Sequence, residues 1–130
     1  MSHTVFAPIT LPNGTTLSNR LAKAAMEENL ATSEHLPGTE LKRLYQAWAD
    51  GGVGLIITGN VMIDHLAMTG PGGVVLEQDT DLTPFIEWAT LSKTNNTKIW
   101  MQLNHPGRQV FKKMGGKVIS PSDVPLNMGK

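Results

Sequence analysis

The sequence lacks cysteine and has no excess of charge of either sign. Its 130 residues include 11 basic and 11 acidic side chains, so the formal net charge is zero at pH 7. The absence of cysteine excludes a disulfide framework, a thiolate metal site and a cysteine nucleophile. No basic cluster is larger than Lys112-Lys113, so the sequence offers no electrostatic surface for nucleic acid or an anionic membrane. We therefore expect neither of these partners.

Long apolar runs are also absent. The N-terminus has no charged segment followed by an apolar one, as a signal peptide would, and no stretch reaches the length of a membrane span. The length suits one domain, and the composition suits an ordinary folded protein. These absences predict a cytoplasmic, soluble protein in which residues 1–130 belong to one domain without a separate second one.

Glycines frame the most informative stretch, Gly51–Asn60. Gly51 and Gly52 permit the conformation that ends a helix, and the residues that follow are dominated by Val, Leu and Ile. Such a short apolar run is typical of a strand that is buried on both faces. The sequence then turns small and polar at Thr58-Gly59-Asn60, where we expect the carboxyl end of this strand.

The other elements follow from turn signals and periodicity. Alanine content would also suit a helix over 21–26, but the run is short and lacks further helical periodicity, so a strand is the preferred interpretation. After Asn60 we expect a long excursion that includes the loop Gly70–Gly73. The remaining predicted elements are a hairpin around Asn13-Gly14, a helix over 38–50, a helix capped by Thr83 with Pro84 at its first position and ended by Asn95-Asn96, and a strand over 98–103.

Strands that alternate with helices predict an α/β fold with parallel pairing. A hairpin followed by about three strands and two helices does not close a barrel. The strands begin near residues 21, 53 and 98, so eight such units would need several hundred residues. We therefore predict an incomplete (β/α)8 TIM barrel, of which residues 1–130 are the N-terminal part.

In such a barrel the active face is built from the carboxyl ends of the strands. That rule selects three clusters, Ala24–Glu28, Thr58–Asn60 and Gln102–His105. The first cluster has small side chains that let a flat ligand approach the backbone, and the third has a carboxamide that both donates and accepts hydrogen bonds. Together they suit a planar heterocycle with mixed donors and acceptors.

Four segments closely resemble, in order and spacing, the N-terminal portion of the Old Yellow Enzyme family: Leu11–Gly14, Asn19–Met26, Gly51–Thr58 and Gln102–Arg108. Members are FMN-dependent barrel oxidoreductases that reduce activated alkenes with NADPH or NADH. The resemblance implies a small-molecule enone or related substrate, to which reduced flavin passes a hydride. It leaves the oligomeric state open, with a homo-oligomer as one option for the full-length protein.

The resemblance also implies roles for individual residues. It places Ala24, Ala25 and Met26 against the flavin, Asn60 in contact with the ring, and Gln102 on the pyrimidine edge. The chemistry agrees, because flavin O2, N3 and O4 present an acceptor, a donor and an acceptor that a primary amide can match in part.

Glu27 departs from the family pattern, which often has Thr or Cys at this cofactor-binding position. A carboxylate near reduced, anionic flavin would disfavour that state, so either Glu27 points away or the reduction potential is lowered. Glu27 and Glu28 could also pass for a catalytic carboxylate pair. Consecutive residues on an extended segment point to opposite faces, however, and solvated charge is the preferred interpretation.

The resemblance places the residues that hold the substrate on later strands, so we expect no catalytic residue in these 130 residues. We expect that the segment alone neither binds FMN tightly nor catalyses the reduction of a substrate. The alternative hypothesis is a catalytically incompetent barrel fragment or pseudoenzyme that acts at most as a binding or interaction module.

Several other polar and aromatic residues have simpler interpretations. His105 and Arg108 are interpreted as residues that order their own loop. Asp64 and His65 have no third ligand at suitable spacing, so we expect no metal site. The tryptophans at positions 48, 88 and 100 are interpreted as core residues.

Overall fold

The computed structural model describes residues 4–110, 116–124 and 127. The elements in this part are strands β1 (Ile9–Thr10), β2 (Thr16–Leu17) and β3 (Ala22–Lys23), helix α1 (Thr39–Asp50), strands β4 (Leu55–Met62) and β5 (Val74–Val75), helix α2 (Thr83–Leu91) and strand β6 (Lys98–Asn104). Single 3-10 turns occur at Thr4–Phe6, Thr94–Asn96 and Gly107–Gln109. The elements form a small antiparallel hairpin and a four-stranded sheet with two helices.

The predicted hairpin is confirmed, because β1 and β2 pair antiparallel around the turn at Asn13-Gly14. Gly14 has a φ of +83°, which a residue without a Cβ adopts at no steric cost. The Gly14 N–H donates to the Leu11 carbonyl at 2.9 Å and closes the turn.

The larger sheet is parallel, as predicted. β4 pairs in parallel with β3 on one side and with β6 on the other. The preference for a strand over a helix at 21–26 is confirmed, although only Ala22 and Lys23 join the ladder. β4 is buried over most of its length and forms the centre of the sheet.

β4 is longer than predicted, and β5 was not predicted. The strand continues through Met62, and Val74–Val75 pairs in parallel with Val61–Met62. The chain leaves the ladder after Lys23, so β5 occupies the side of β4 that β3 covers only at its amino end. Two residues inside a glycine-rich loop carry too weak a periodic pattern to indicate a strand.

α1 begins after Gly38 and ends before Gly51, as its periodicity predicts. Its buried side chains are Leu41, Tyr45 and Ala49, which share one face because they are spaced four apart. The Tyr45 ring meets the ring of Trp88 on α2 edge-on, with 4.9 Å between centroids. This aromatic contact joins the two helices over β4 and forms the centre of the core.

The predicted start of α2 is wrong by one residue. Leu82 holds the N-cap position, Thr83 is the first helical residue, and Pro84 comes second. Asp81, one residue before the N-cap position, accepts the Thr83 N–H at its Oδ1 at 2.9 Å, and this hydrogen bond lowers the pKa of Asp81. The predicted end of the helix at Asn95-Asn96 is also wrong, because α2 ends at Leu91, although Asn95 has the left-handed conformation expected of it, with a φ of 52°.

The core interpretation of the tryptophans holds for Trp88, which is buried, and in part for the half-buried Trp48. It is wrong for Trp100, of which 46% is exposed. Trp100 lies on β6, and no described strand pairs with the far edge of β6. No helix in the described ranges is long and apolar enough to cross a membrane.

Candidate functional site

Two carboxamides meet at the carboxyl ends of the central strands. Asn60 of β4 and Gln102 of β6 are paired in register, so their side chains emerge on the same face of the sheet. The Gln102 Nε2 donates to the Asn60 Oδ1 at 2.6 Å. Both residues are half-buried. The structure therefore brings together two of the predicted site residues that lie 42 positions apart in the chain.

A bulge in β4 produces this register. Ile57 pairs with Trp100 and Asn60 pairs with Gln102, so Thr58 and Gly59 together lie opposite Met101. The sequence placed Thr58–Asn60 where the strand ends, whereas these residues lie inside it. In a regular ladder Asn60 would lie opposite Leu103 instead of Gln102, and the two carboxamides would not be paired.

The Thr58 side chain belongs to the bulge. It is buried, its Oγ1 accepts the Gln102 backbone N–H at 2.9 Å, and it donates to the Gly59 carbonyl at 2.8 Å. One hydroxyl thus connects the two strands at the point where the regular pairing is interrupted.

The backbone that follows β3 lies against Gly59. A Cβ placed on Gly59 would be 2.3 Å from the Met26 carbonyl oxygen, so no larger residue fits there without movement. The Met26 backbone therefore lies against the residue that immediately precedes Asn60. Ala24 and Ala25 follow directly from the end of β3; Ala24 is exposed and Ala25 half-buried.

Glu27 and Glu28 point in different directions, as expected for consecutive residues of an extended segment. The exposed Glu27 accepts a hydrogen bond from the Thr69 hydroxyl in the excursion that follows β4. The interpretation of Glu28 as a solvated charge is wrong, since only 11% of its side chain is exposed. Glu28 lies under α1, where it accepts hydrogen bonds from Lys23 and Tyr45.

The sequence analysis missed this buried polar network, which consists of Lys23, Glu28 and Tyr45. The Lys23 Nζ lies 3.0 Å from the Glu28 Oε1, and the Tyr45 hydroxyl donates to the same oxygen at 2.6 Å. The ammonium also lies 4.5 Å from the centroid of the Trp48 ring, within cation–π range. Burial, together with the hydrogen bond to Glu28, raises the pKa of Tyr45, so its hydroxyl stays neutral and remains a donor.

The sequence contained a signal for the network. Lys23 interrupts an apolar strand, and a charged residue at such a position needs a partner if it is buried. No local rule, however, pairs a strand lysine with a glutamate beyond the strand and a tyrosine on a helix.

The carboxamide pair has unused hydrogen-bonding capacity. Within the described ranges, the Gln102 Oε1 and the Asn60 Nδ2 have no protein partner, which leaves acceptor and donor groups for a ligand. Such a set fits the pyrimidine edge of a flavin, where acceptors and a donor alternate. The assignment of Ala24, Ala25, Met26, Glu27, Asn60 and Gln102 to a cofactor site stays a prediction.

The loop after β6 is held by its own side chains. The His105 Nδ1 accepts the Gly107 N–H at 3.0 Å, and Arg108 donates to the Val124 carbonyl at 3.4 Å. These contacts agree with the interpretation of both residues as loop-ordering. The neighbouring Lys112 and Lys113 lie outside the described residues.

The structure supplies the third group that the sequence analysis did not find near Asp64 and His65. Glu77, which follows β5, brings a carboxylate oxygen to within 4.8 Å of the ligand atoms of both residues. The Glu77 Oε1 accepts the His65 backbone N–H at 3.0 Å and lies 2.9 Å from its Nδ1. These contacts form an exposed ion pair that connects the two ends of the β4–β5 excursion.

We expect the His65 imidazole to titrate above its ordinary value of 6.5, because the hydrogen bond and charge of Glu77 raise its pKa. Contact with His65 in turn lowers the pKa of Glu77. The stabilisation from His65 is therefore complete below its unfolded-state pKa and is lost as pH rises through the raised one. The stabilisation from Glu77 is lost as pH falls through its lowered pKa.

A proton NMR titration of the imidazole checks this expectation. The substitution Glu77→Gln should bring the midpoint of His65 down toward its ordinary value. Glu87→Gln, which removes an exposed carboxylate on α2, should leave the midpoint unchanged. Equal midpoints for His65 in the unsubstituted protein and in the Glu77→Gln variant would contradict the assigned ion pair.

The site lies on a fold that comparison with known proteins identifies. Residues 4–129 match the NADH:flavin oxidoreductase / NADH oxidase family, and the chain belongs to that family. It is 37% identical over 131 aligned positions to the NADH-dependent flavin oxidoreductase iliE of Hypocrea jecorina, covering 94% of this chain and 33% of that relative. It is 31% identical over 122 positions to the NADH:fumarate oxidoreductase of Klebsiella pneumoniae, covering 92% of this chain and 13% of that relative.

The structure is similar to the Old Yellow Enzyme homologue of Zymomonas mobilis, with a TM-score of 0.80 and 25% identity. The match covers 92% of this chain and 33% of that one, so the chain spans about a third of the length of these two proteins from Hypocrea and Zymomonas. The resemblance to the Old Yellow Enzyme family is confirmed. The prediction of an incomplete (β/α)8 barrel is confirmed as well, with β5 as an addition.

Proposed function

We propose that the protein is an FMN-dependent oxidoreductase that reduces activated alkenes, such as α,β-unsaturated carbonyl compounds, with NADH or NADPH as electron donor. The observation that carries the proposal is the Asn60–Gln102 carboxamide pair toward the carboxyl end of the sheet, where the Met26 backbone lies against the neighbouring Gly59. Family membership supports the use of a flavin. The Hypocrea relative is named as NADH-dependent, and the Klebsiella relative is named for fumarate, which is itself an alkene activated by carboxyl groups.

In this proposal the carboxamide pair holds the cofactor edge. Gln102 presents its free Oε1 and remaining N–H to the pyrimidine edge, while its bond to Asn60 fixes the orientation of the amide. The backbone at Ala24, Ala25 and Met26 forms a wall of small groups on the β3 side. A bound flavin would supply hydride transfer from the reduced nicotinamide to the electron-poor carbon of the substrate, and a group outside these residues would supply the proton that completes the reduction.

Replacing Gln102 tests the proposal in the full-length protein. We expect Gln102→Ala to weaken FMN binding about tenfold or more, because a polar cofactor edge would lose its hydrogen-bond partners. Titration of the apoprotein with FMN, followed by flavin absorbance and fluorescence, measures the change. The matched control is Gln109→Ala, which truncates an exposed glutamine in the 3-10 turn after β6 and should leave the affinity unchanged.

Absence of flavin absorbance in the purified protein after addition of FMN would overturn the proposed function. Flavin binding that is unchanged in Gln102→Ala would retain the family chemistry but reject the role of Gln102. Turnover of a simple enone with NADH and with NADPH would then distinguish the two electron donors.

A second candidate is that these 130 residues by themselves form a catalytically incompetent unit that can act only through binding. The observation in its favour is the exposed apolar surface of β6, where 46% of Trp100 and 60% of Leu103 are accessible. An assay of the isolated segment with FMN, NADH and a simple enone decides between the candidates. Turnover by the segment alone would contradict the second one.

A further inference from the structure

Near its bulge β4 has backbone groups that neither neighbouring strand pairs. Thr58 and Gly59 lie opposite the single residue Met101 of β6, and on the other side β3 pairs only with Leu55 and Ile56. Unpaired backbone groups in a buried strand are costly, and other partners must satisfy them.

Side chains of the buried polar network take up these groups. The Lys23 Nζ donates to the Ile57 carbonyl at 3.2 Å, and the Gly59 N–H donates to the Tyr45 hydroxyl at 2.9 Å. The network defined by Lys23, Glu28 and Tyr45 thus contacts the bulge on both sides of Thr58. Its residues come from β3, from the segment after β3 and from α1.

The chemistry of the network determines the direction of each hydrogen bond. An ionised carboxylate can only accept, so Glu28 directs the hydroxyl hydrogen of Tyr45 toward itself. The lone pairs of the tyrosine oxygen are then left for the Gly59 N–H. The Lys23 ammonium donates to both the Glu28 carboxylate and the Ile57 carbonyl, so it connects Glu28 to the residue that precedes the bulge.

Gly59 immediately precedes Asn60, and the bulge decides which residue of β6 lies opposite Asn60. We propose that Tyr45, oriented by Glu28 and Lys23, is a positioning residue that holds the β4 bulge and thereby places the Asn60–Gln102 pair for the cofactor. This inference rests on the proposed function. It assigns a cofactor-positioning role to a helix residue that does not itself touch the pair.

The test uses Tyr45→Phe in the full-length protein, with Thr97→Val as the matched control. Thr97 is also buried, and its hydroxyl donates to the Val53 carbonyl at 2.7 Å, at the opposite end of the sheet from the carboxamides. Each variant removes one buried hydroxyl with little change of shape, so both should lower the midpoint of thermal unfolding. Only Tyr45→Phe should weaken FMN binding, by about tenfold, and shift the visible flavin absorption band.

A second measurement does not depend on the cofactor. Amide hydrogen exchange of the apoprotein should show faster exchange at Gly59 in Tyr45→Phe and unchanged exchange there in Thr97→Val. The double variant Lys23→Met/Glu28→Gln removes both charges of the network but retains an oxygen that accepts the tyrosine hydroxyl, so it should weaken FMN binding less than Tyr45→Phe does. The FMN affinity of this variant tests the role of the network even if Tyr45→Phe fails to fold.

The outcomes separate this inference from the proposed function. An unsubstituted protein that binds no flavin would overturn both. Flavin binding by the unsubstituted protein with the same affinity and spectrum in Tyr45→Phe would overturn the positioning role alone. An equal loss of affinity in Thr97→Val would also overturn it, because the effect would then follow general stability rather than the bulge.

Discussion

Replacement of Gly59 by alanine should strongly destabilise the folded protein. A Cβ at this position would lie 2.3 Å from the Met26 carbonyl oxygen and 2.3 Å from the Glu28 Oε2. The first contact is with backbone and cannot be relieved by a rotamer change, and the second is with the buried ion pair. We expect a loss of about 3 kcal/mol or more in the free energy of unfolding, measured by denaturant titration of the full-length protein.

Gly14→Ala is the control for this substitution. Gly14 has a φ of +83°, but nothing lies within 4 Å of a Cβ placed there. The cost should therefore be only that of a left-handed alanine, about 1–2 kcal/mol. A Gly59→Ala variant that is no less stable than Gly14→Ala would show that the segment after β3 does not lie against β4 as described.

Removing the positive charge of the buried ion pair should have an effect of similar size. Lys23 and Glu28 have side-chain exposures of 8% and 11%, so Lys23→Met would leave a carboxylate in a nearly dry environment. Loss of one partner of a buried pair typically costs about 3–5 kcal/mol, because the other charge loses its compensation. Equilibrium unfolding in denaturant, followed by circular dichroism, measures this loss.

The double variant Lys23→Met/Glu28→Gln separates the charge from the packing. It removes both charges and keeps an oxygen that can accept the Tyr45 hydroxyl, so we expect it to recover at least half of the stability lost in Lys23→Met. A double variant that is as unstable as the sum of both single variants would contradict an energetic coupling between the two charges.

Several elements could be predicted from the sequence because their signals are local. Asn13-Gly14 encodes its own turn, and the spacing of Leu41 and Tyr45 encodes the buried face of α1. Family motifs at the strand ends predict the barrel and select Asn60 and Gln102 as site residues. Such signals depend on residues close together in the chain, so they predict the local structure without information about the tertiary fold.

Other features depend on which elements meet. Glu28 cannot be distinguished from a solvated glutamate until α1 brings Tyr45 to it and β3 brings Lys23. Glu77 becomes a partner of His65 only because β5 returns the chain to the end of β4. In both cases the energy of the contact arises between residues that no periodic pattern relates.

The sequence by itself determined the strand Leu55–Ile57, the polarity that follows it and the family to which the chain belongs. Only the tertiary structure decided that this polar stretch is a bulge inside the strand, and that the bulge brings Asn60 opposite Gln102. The physical reason is that the unpaired backbone groups in and beside the bulge require partners. Here these partners are side chains from β3 and α1, whose positions exist only once the chain has folded.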